Sequence, residues 1–245
     1  MDDINSVLEN AARFAAQKGL PRFTRFLDPA NAHAAAVLAR EHGVMFACWG
    51  GYERAERTIG CFYPFDSQVQ FEQYPLVCLS AQYNSKFCHP THRDLLGAFM
   101  ALGLTRDCIG DIIITDGCAY LFTHEQTASY VAASMTSAGR TSLQFMPLDE
   151  IPEIPEPKGS EFSCVVSSLR LDAMLAAAYR LSRSEASSFI RGGLVKVNHL
   201  PEERPDVLLK EDTILSLRGR GRIRFVAVNG STRRQRIGVT FFRYE

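Results

Sequence analysis

The feature of this sequence that most constrains the fold is a proline-rich segment about two thirds of the way along the chain. Three prolines lie within the ten residues 151–160. Because proline fixes φ and has no backbone N–H to donate, such a segment excludes helix and keeps the backbone extended. We therefore predict a linker over residues 151–162, followed by a separate C-terminal domain over residues 163–245.

The charged residues are unevenly divided at this boundary. The 245-residue chain has 27 Lys and Arg and 27 Asp and Glu, but residues 163–245 contain 15 of the basic residues and 8 of the acidic ones. Only Lys196 and Lys210 among those 15 are lysines. An arginine-rich segment favours a polyanionic partner such as RNA, because the planar guanidinium binds phosphate through two hydrogen bonds and stacks on bases.

The first 75 residues indicate a small N-terminal α/β domain. Apolar residues recur at helical spacing over residues 4–15, which predicts an amphipathic helix. Asp28 followed by Pro29 is typical of a helix start, and this second helix is expected to run to His42. The apolar run at residues 44–49 predicts a buried strand.

Residues 76–150 predict a ferredoxin-like domain with the order β-α-β-β-α-β. Thr91 and Asp94 form a capping box for its first helix, and Asp116-Gly117 marks a hairpin. Aromatic residues that read RNA from central strands are not evident, so this domain is only a possible second contact surface. The predicted elements are strand 76–81, helix 91–102, strands 111–115 and 118–122, helix 124–137 and strand 141–146.

The C-terminal domain begins with two short helices. Leu171, Leu175 and Ala178 line one helix face, and Ser182 with Glu185 forms a capping box for the next helix. A strand is predicted at residues 194–198. Two further strands, 213–217 and 223–228, flank an Arg-Gly-Arg-Gly-Arg segment and predict a hairpin with arginines at its tip.

These motifs resemble the S4-type RNA-binding domain, named after the ribosomal protein. Its fold is therefore expected for residues 163–245, inside an overall α+β architecture. His199 departs from the pattern, which commonly has glycine there, but Asn198 tolerates the geometry of this turn. The resemblance rests on Arg-Leu-Asp at 170–172, Ser-Arg-Ser-Glu-Ala at 182–186, Ile-Arg-Gly-Gly at 190–193, Val-Lys-Val-Asn at 195–198 and Asp-Thr-Ile at 212–214.

The N-terminal and middle segments extend the resemblance to most of the chain. Residues 50–57, 91–98, 102–104 and 109–112 are similar to the YlmH family of bacterial and plastid S4-domain proteins. That resemblance implies association with the large ribosomal subunit and peptidyl-tRNA, in the rescue or quality control of obstructed ribosomes.

We expect the C-terminal domain to bind structured RNA, both rRNA and tRNA, through phosphate contacts. The N-terminus of its second helix presents Arg183 and Ser184 beside backbone N–H groups that suit phosphate. Arg180, Arg191 and Lys196 are expected to flank that site. The candidate RNA-binding residues are Arg170, Arg180, Arg183, Ser184, Arg191, Lys196 and Asn198. The arginines of the hairpin tip, Arg218, Arg220 and Arg222, and the run at 233–236 are weaker candidates.

Catalysis is not expected. A pseudouridine synthase needs an aspartate in an Arg-Leu-Asp segment of its catalytic domain, but the only such segment, at 170–172, opens the S4-type domain. A glycine-rich methyltransferase loop is not found either. Two alternatives stay open: an RNA-modifying enzyme with an unrecognised site, and an adaptor linked to cell division whose acidic N-terminal domains bind proteins.

Composition gives the remaining expectations. The seven cysteines form no Cys-x-x-Cys pair and lie mostly in apolar runs, which indicates reduced thiols in a cytoplasmic protein. We expect neither a metal nor another cofactor. No apolar run reaches the roughly 20 residues of a membrane span, and the protein is expected to be a monomer.

Overall fold

The structure, a computed structural model, describes residues 4–151, 153–155, 159–231 and 236–244. The fold is α+β, as predicted, and the chain divides into two compact units, Met1–Pro155 and Glu156–Glu245. The boundary predicted near residue 75 falls inside the first unit and stays a prediction. Within the described part of the chain, the helices are too short or too polar to cross a membrane.

The N-terminal unit begins with a three-stranded antiparallel sheet in the order β1-β3-β2. The two predicted helices are confirmed, and the carboxylate of Asp28 caps the second by accepting a hydrogen bond from Asn31 N. The prediction of a buried strand at 44–49 was wrong in its burial, because β2 is an edge strand with Cys48 exposed. The elements are α1 (Ile4–Lys18), β1 (Arg22–Leu27), α2 (Pro29–Glu41), β2 (Met45–Trp49) and β3 (Thr58–Tyr63).

A second antiparallel sheet follows in the same unit, in the order β5-β6-β4-β9. Helices α3 and α4 each connect two strands that have a third strand between them, which is the split β-α-β connectivity. The predicted strand at 141–146 is instead two short pieces, and the preceding helix ends at Ser134. The elements are β4 (Leu76–Gln82), α3 (His92–Ala101), β5 (Ile109–Thr115), β6 (Cys118–His124), α4 (Glu125–Ser134), β7 (Ser137–Ala138), β8 (Thr141–Ser142) and β9 (Met146–Pro147).

The two sheets of the N-terminal unit pack face to face. Phe26 and Ile59 of the first sheet share one apolar cluster with Cys78 and Phe122 of the second. Helices α3 and α4 cover the other face of the second sheet. The central strand β6 carries aromatic side chains, but the ring of Phe122 is fully buried against the first sheet. The sheet face on which many RNA-binding domains stack bases is covered here.

The C-terminal unit is a six-stranded antiparallel sheet with two helices on one face, in the order β10-β15-β14-β13-β11-β12. Alternate strand residues such as Leu215, Ile223 and Phe241 pack with α5 and α6 in one core. The elements are β10 (Gly159–Val166), α5 (Leu171–Tyr179), α6 (Arg183–Arg191), β11 (Val195–Val197), β12 (Leu200–Pro201), β13 (Ile214–Leu217), β14 (Gly221–Ser231) and β15 (Ile237–Tyr244).

Three strands of this sheet, β10, β12 and β15, were not predicted. β10 pairs with β15 over eight residues, from Gly159 opposite Tyr244 to Val166 opposite Ile237. The predicted linker 151–162 is therefore too long, because residues 159–162 already belong to the sheet. Paired strands far apart in sequence satisfy each other's backbone groups, and local patterns do not reveal that partnership.

Candidate nucleic-acid interface

The predicted capping box starts helix α6 and is confirmed. Ser182 Oγ accepts a hydrogen bond of 3.2 Å from Glu185 N, and Glu185 Oε2 accepts one of 2.8 Å from Ser182 N. The Ser184 hydroxyl lies 3.0 Å from that of Ser182. Hydrogen bonds from Ser182 are the largest cause of a lowered pKa at Glu185. The capping box thus gives a hydrogen-bond acceptor to the backbone N–H groups of Ser182 and Glu185 at the start of the helix.

Asp172 positions two of the predicted arginines. Its side chain is only 8% exposed. Arg183 Nη2 donates to Asp172 Oδ2 at 2.8 Å, and Arg170 donates from Nε and Nη2 to the two oxygens at 3.2 and 3.3 Å. Burial by itself raises the pKa of Asp172, but the hydrogen bonds and charges of these arginines outweigh it and the pKa is lowered. The carboxylate holds both guanidinium groups on one side of the helix pair.

Arg183 and Arg170 nevertheless reach solvent, with side chains 55% and 41% exposed. A guanidinium has five N–H donors, so a bond to Asp172 leaves others to bind phosphate. The first N–H groups of a helix have no intrahelical acceptor. Among the described residues, none accepts a hydrogen bond from the backbone N–H of Arg183 or Ser184.

Arg180 lies in the turn between the two helices. It is exposed and ends α5 in the left-handed conformation, with φ 55° and ψ 50°. A left-handed residue with a Cβ costs roughly 1–2 kcal/mol, so glycine usually takes this position. An arginine at a strained, exposed position suggests a function for the side chain.

The predicted arginine hairpin lies beside the same turn. Tyr179 Oη donates a 3.0 Å hydrogen bond to Gly221 O, which ties α5 to the hairpin. Arg218 and Arg220 are exposed at the tip, and the positive charge of Arg220 contributes to the lowered pKa of Glu185. These contacts bring Arg220 close to the start of α6.

We define the α5–α6 surface by the side chains that these contacts gather. Its backbone framework is the capped start of α6 and the turn before it. The members are Arg170, Arg180, Arg183, Ser184 and Arg220.

The structure does not bring Lys196 to this surface, contrary to expectation. Successive strand residues point to opposite sheet faces, and the neighbours Val195 and Val197 pack into the core beneath the helices. Lys196 is exposed on the opposite face. Arg191, at the far end of α6, is about 12 Å along the axis from Arg183, at 1.5 Å per residue.

Asn198 has a structural role that sequence reasoning missed. Its Oδ1 accepts a 2.8 Å hydrogen bond from Ile214 N, and its own N–H donates to Ile214 O at 2.8 Å. Asn198 and His199 form the turn between β11 and β12, and both have positive φ, 47° and 69°. The turn thus requires glycine-like geometry at His199 as well as at Asn198.

Arg222 is not a tip residue as predicted, because it is already inside β14. It faces Ser216, which in turn faces Lys196, across neighbouring strands. Its guanidinium lies 4.4 Å from the ring centroid of Tyr244. Phe242 and Tyr244 were missed, although the alternation of residues 237–244 is a usable signal for a strand. Residues 233–235 of the predicted basic run lie outside the described residues, and Arg236 is exposed.

One loop of the N-terminal unit presents an aromatic side chain between basic ones. The loop from β4 to α3 carries Phe87, which is 81% exposed, and exposed Lys86 and His89. The loop is ordered by hydrogen bonds to Asn84 O from Phe87 N and Cys88 N, at 3.1 and 2.9 Å.

Asp111 organises the segment that follows β2. It accepts hydrogen bonds from Tyr52 Oη at 2.8 Å, Glu56 N at 2.7 Å and Arg57 N at 3.1 Å. Burial raises the pKa of Asp111 although these donors oppose the shift. The segment 50–57 is therefore anchored to β5 by one carboxylate. The described residues include no group of three metal-binding side chains.

Comparison with known proteins agrees with this architecture. A family model described as "Putative RNA-binding domain in YlmH" matches residues 70–150. A solved chain, the cell division protein ylmH from Streptococcus pneumoniae, superposes with a TM-score of 0.52 at 20% identity, covering 59% of this chain and 88% of that chain. The ribosome-associated protein quality control protein P2 of Bacillus subtilis is 35% identical over 224 residues, which is 91% of this chain and 87% of the relative. Identity of that extent shows that the chain belongs to the YlmH family.

Proposed function

We propose that this protein binds structured RNA, both rRNA and tRNA, through an S4-type domain formed by the C-terminal unit. Its place of action is the large ribosomal subunit in the cytoplasm, where it takes part in the rescue or quality control of obstructed ribosomes. The protein acts by binding as a monomer, without catalysis. The Bacillus subtilis relative, with its ribosome-associated name, supports the ribosomal part of this proposal.

The observation that carries the proposal is the arrangement of the α5–α6 surface. Asp172 holds Arg170 and Arg183 beside the start of α6, and Arg180 occupies a strained position in the adjoining turn. Duplex RNA is recognised mainly by shape and through phosphate and 2′-hydroxyl contacts. A group of guanidiniums held beside a helix N-terminus suits such a backbone.

The occupied carboxylate of Asp172 also bears on the enzyme alternative. Its oxygens accept hydrogen bonds from Arg170, Arg183 and the backbone N–H of Ala173. These hydrogen bonds explain Asp172 as a residue that starts α5 and orients arginines, rather than as a catalytic aspartate.

The family-model match adds a second contact surface to this proposal. The matched residues 70–150 are described as an RNA-binding domain, but the face of their sheet that lies opposite the helices is covered by the first sheet. We assign the contact to the loop with Lys86, Phe87 and His89, where an exposed ring and positive charge occur together. Phe87→Ala is expected to weaken binding to ribosomal RNA without lowering the unfolding midpoint.

The test of the main surface is a salt titration of binding to purified ribosomal subunits and tRNA. Arg180→Gln combined with Arg220→Gln neutralises two exposed arginines that do not bond to Asp172. Each lost phosphate contact is expected to reduce the slope of log affinity against log salt by about 0.7–0.9. Arg40→Gln, an exposed arginine of α2, is the matched control and should leave the slope unchanged.

Two outcomes would reject the proposal. One is a wild-type protein that fails to sediment with ribosomal subunits or to retain tRNA at low salt. The other is equal binding and an equal salt slope for the wild type and the double variant.

A further inference from the structure

The sheet of the C-terminal unit has a second face, opposite the helices, which the α5–α6 surface does not use. Lys196 faces Ser216 across β11 and β13, and Ser216 faces Arg222 across β13 and β14. Directly opposed residues of antiparallel strands project to the same side. Lys196 and Arg222 therefore share this open face, together with Arg224, which follows Arg222 by two positions.

Two aromatic rings lie among these cations. The Arg222 guanidinium carbon is 4.4 Å from the Tyr244 ring centroid, and that of Arg224 is 5.8 Å from the Phe242 centroid. The two rings meet edge to face, with centroids 5.2 Å apart and planes at 84°. Guanidiniums and rings thus alternate along the ends of β14 and β15. We call Lys196, Arg222, Arg224, Phe242 and Tyr244 the open sheet face.

These rings do not belong to the core. The neighbouring Phe225 and Phe241 are fully buried with the helices, whereas Phe242 and Tyr244 alternate with Phe241 and point the other way. Both are partly exposed. Rings that retain exposed surface beside arginines can stack on a ligand with a π face.

Resting on the RNA binding proposed above, we infer that the open sheet face stacks unpaired nucleotides of single-stranded RNA. Tyr244, Phe242 and the guanidinium planes present stacking surfaces for bases, and Lys196 and Arg222 attract the phosphates. Bases inside a duplex are already stacked, so this face selects unpaired strands. The α5–α6 surface, on the helix side, contacts the duplex part of the same RNA.

Acidic residues limit where the phosphates of the bound single-stranded RNA can lie on this face. Glu161 is exposed on β10 opposite Phe242, and Asp212 bonds Arg224 at 3.1 Å with its own side chain 79% exposed. A surface ion pair of this kind contributes little to stability, so a phosphate can compete for Arg224. The phosphates are expected on the Lys196 and Arg222 side, away from Glu161.

The experiment compares two RNA probes on the full-length protein: a fluorescein-labelled single-stranded oligoribonucleotide and a blunt-ended RNA duplex. Phe242→Leu and Tyr244→Leu, together, keep apolar side chains on the strand but remove the rings. The double variant is expected to lose about tenfold or more in single-strand affinity, while duplex affinity stays within about twofold of the wild type. Phe65→Leu, an exposed aromatic of the other unit that is 78% exposed, is the control.

A 4-thiouridine-labelled strand supplies an independent readout. Its crosslink should map to the peptide containing Phe242 and Tyr244 in the wild type. Unchanged single-strand affinity, an equal loss for both probes, or a crosslink elsewhere overturns the inference. If the wild-type protein binds the duplex but not the single strand, this inference fails and the proposed function stands; if it binds neither, both fail. An unchanged thermal midpoint shows that the variants are folded.

Discussion

Arg183 and Asp172 are joined by a hydrogen bond of 2.8 Å from Nη2 to Oδ2, although they belong to different helices. The bond makes an exposed arginine part of the packing between α5 and α6. Charge reversal at Arg183 would therefore place a second carboxylate beside Asp172. A loss of RNA binding in that variant could not be told apart from a loss of folding. Binding is better tested at arginines outside this ion pair.

Asp172→Asn should lower the free energy of unfolding by about 2 kcal/mol, because buried hydrogen bonds to charged partners are lost. RNA affinity should also fall, since Arg170 and Arg183 lose their common acceptor. Urea unfolding and fluorescence anisotropy with tRNA measure the two effects. Asp149→Asn, at an exposed position, is the control, and equal stability of the Asp172 variant and the wild type would contradict the role of the carboxylate.

Stability should depend on pH through the same group. The folded-state pKa of Asp172 is lowered, so its contribution is complete above the unfolded-state pKa of about 4 and is lost as the pH falls through the folded-state pKa. The difference in unfolding free energy between the wild type and Asp172→Asn should be constant near pH 6 and shrink below about pH 4. Urea unfolding from pH 6 to pH 3 checks this, and an unvarying difference would argue against the ion pairs.

Arg180→Gly should stabilise the protein and weaken its binding. Glycine relieves the strain at φ 55°, for a gain of roughly 1 kcal/mol, but removes a guanidinium from the α5–α6 surface. Arg180→Lys keeps the charge and the strain, so it should leave stability nearly unchanged and lose less affinity. Thermal unfolding measures the change in stability, and tRNA binding measures the change in affinity. If the glycine variant gains stability and keeps the wild-type affinity for tRNA, Arg180 does not belong to the RNA-binding surface.

His199→Gly should also stabilise the protein, without changing its affinity for RNA. His199 has φ 69° in the turn between β11 and β12, where glycine removes a cost of about 1 kcal/mol. The unfolding midpoint should rise. A lower midpoint would mean that the contacts of the imidazole outweigh the backbone strain.

Tyr52→Phe should loosen the N-terminal unit alone. The half-buried Asp111 carboxylate loses the hydroxyl donor at 2.8 Å, and such an incompletely bonded carboxylate costs about 1–2 kcal/mol. Hydrogen exchange is expected to accelerate over residues 52–57 and to stay unchanged in the C-terminal unit. Faster exchange in both units would show that the change is not local.

Structural features that depend on residues close together in the sequence were predicted correctly. The capping boxes of Thr91 with Asp94 and of Ser182 with Glu185 both form as expected, because cap and partner are three residues apart. Strands paired over long distances were harder: β10 and β15 were missed, and the residues of β10 were assigned in part to a linker. The partners of β10 in β15 lie more than 70 residues away, outside any local pattern, whereas β15 also pairs with the neighbouring strand β14.

The sequence by itself determined the α+β class, the resemblance to the YlmH family and the arginine-rich composition of the C-terminal unit, since these depend on residue types and local spacing. Tertiary structure alone decided which basic residues act together. Strand alternation turns Lys196 away from Arg183 and towards Arg222 and Tyr244, and the packing of α5 on α6 places Asp172 against Arg183. The physical reason is that a side chain's direction is set by the pairing and packing of its element, which distant parts of the chain supply.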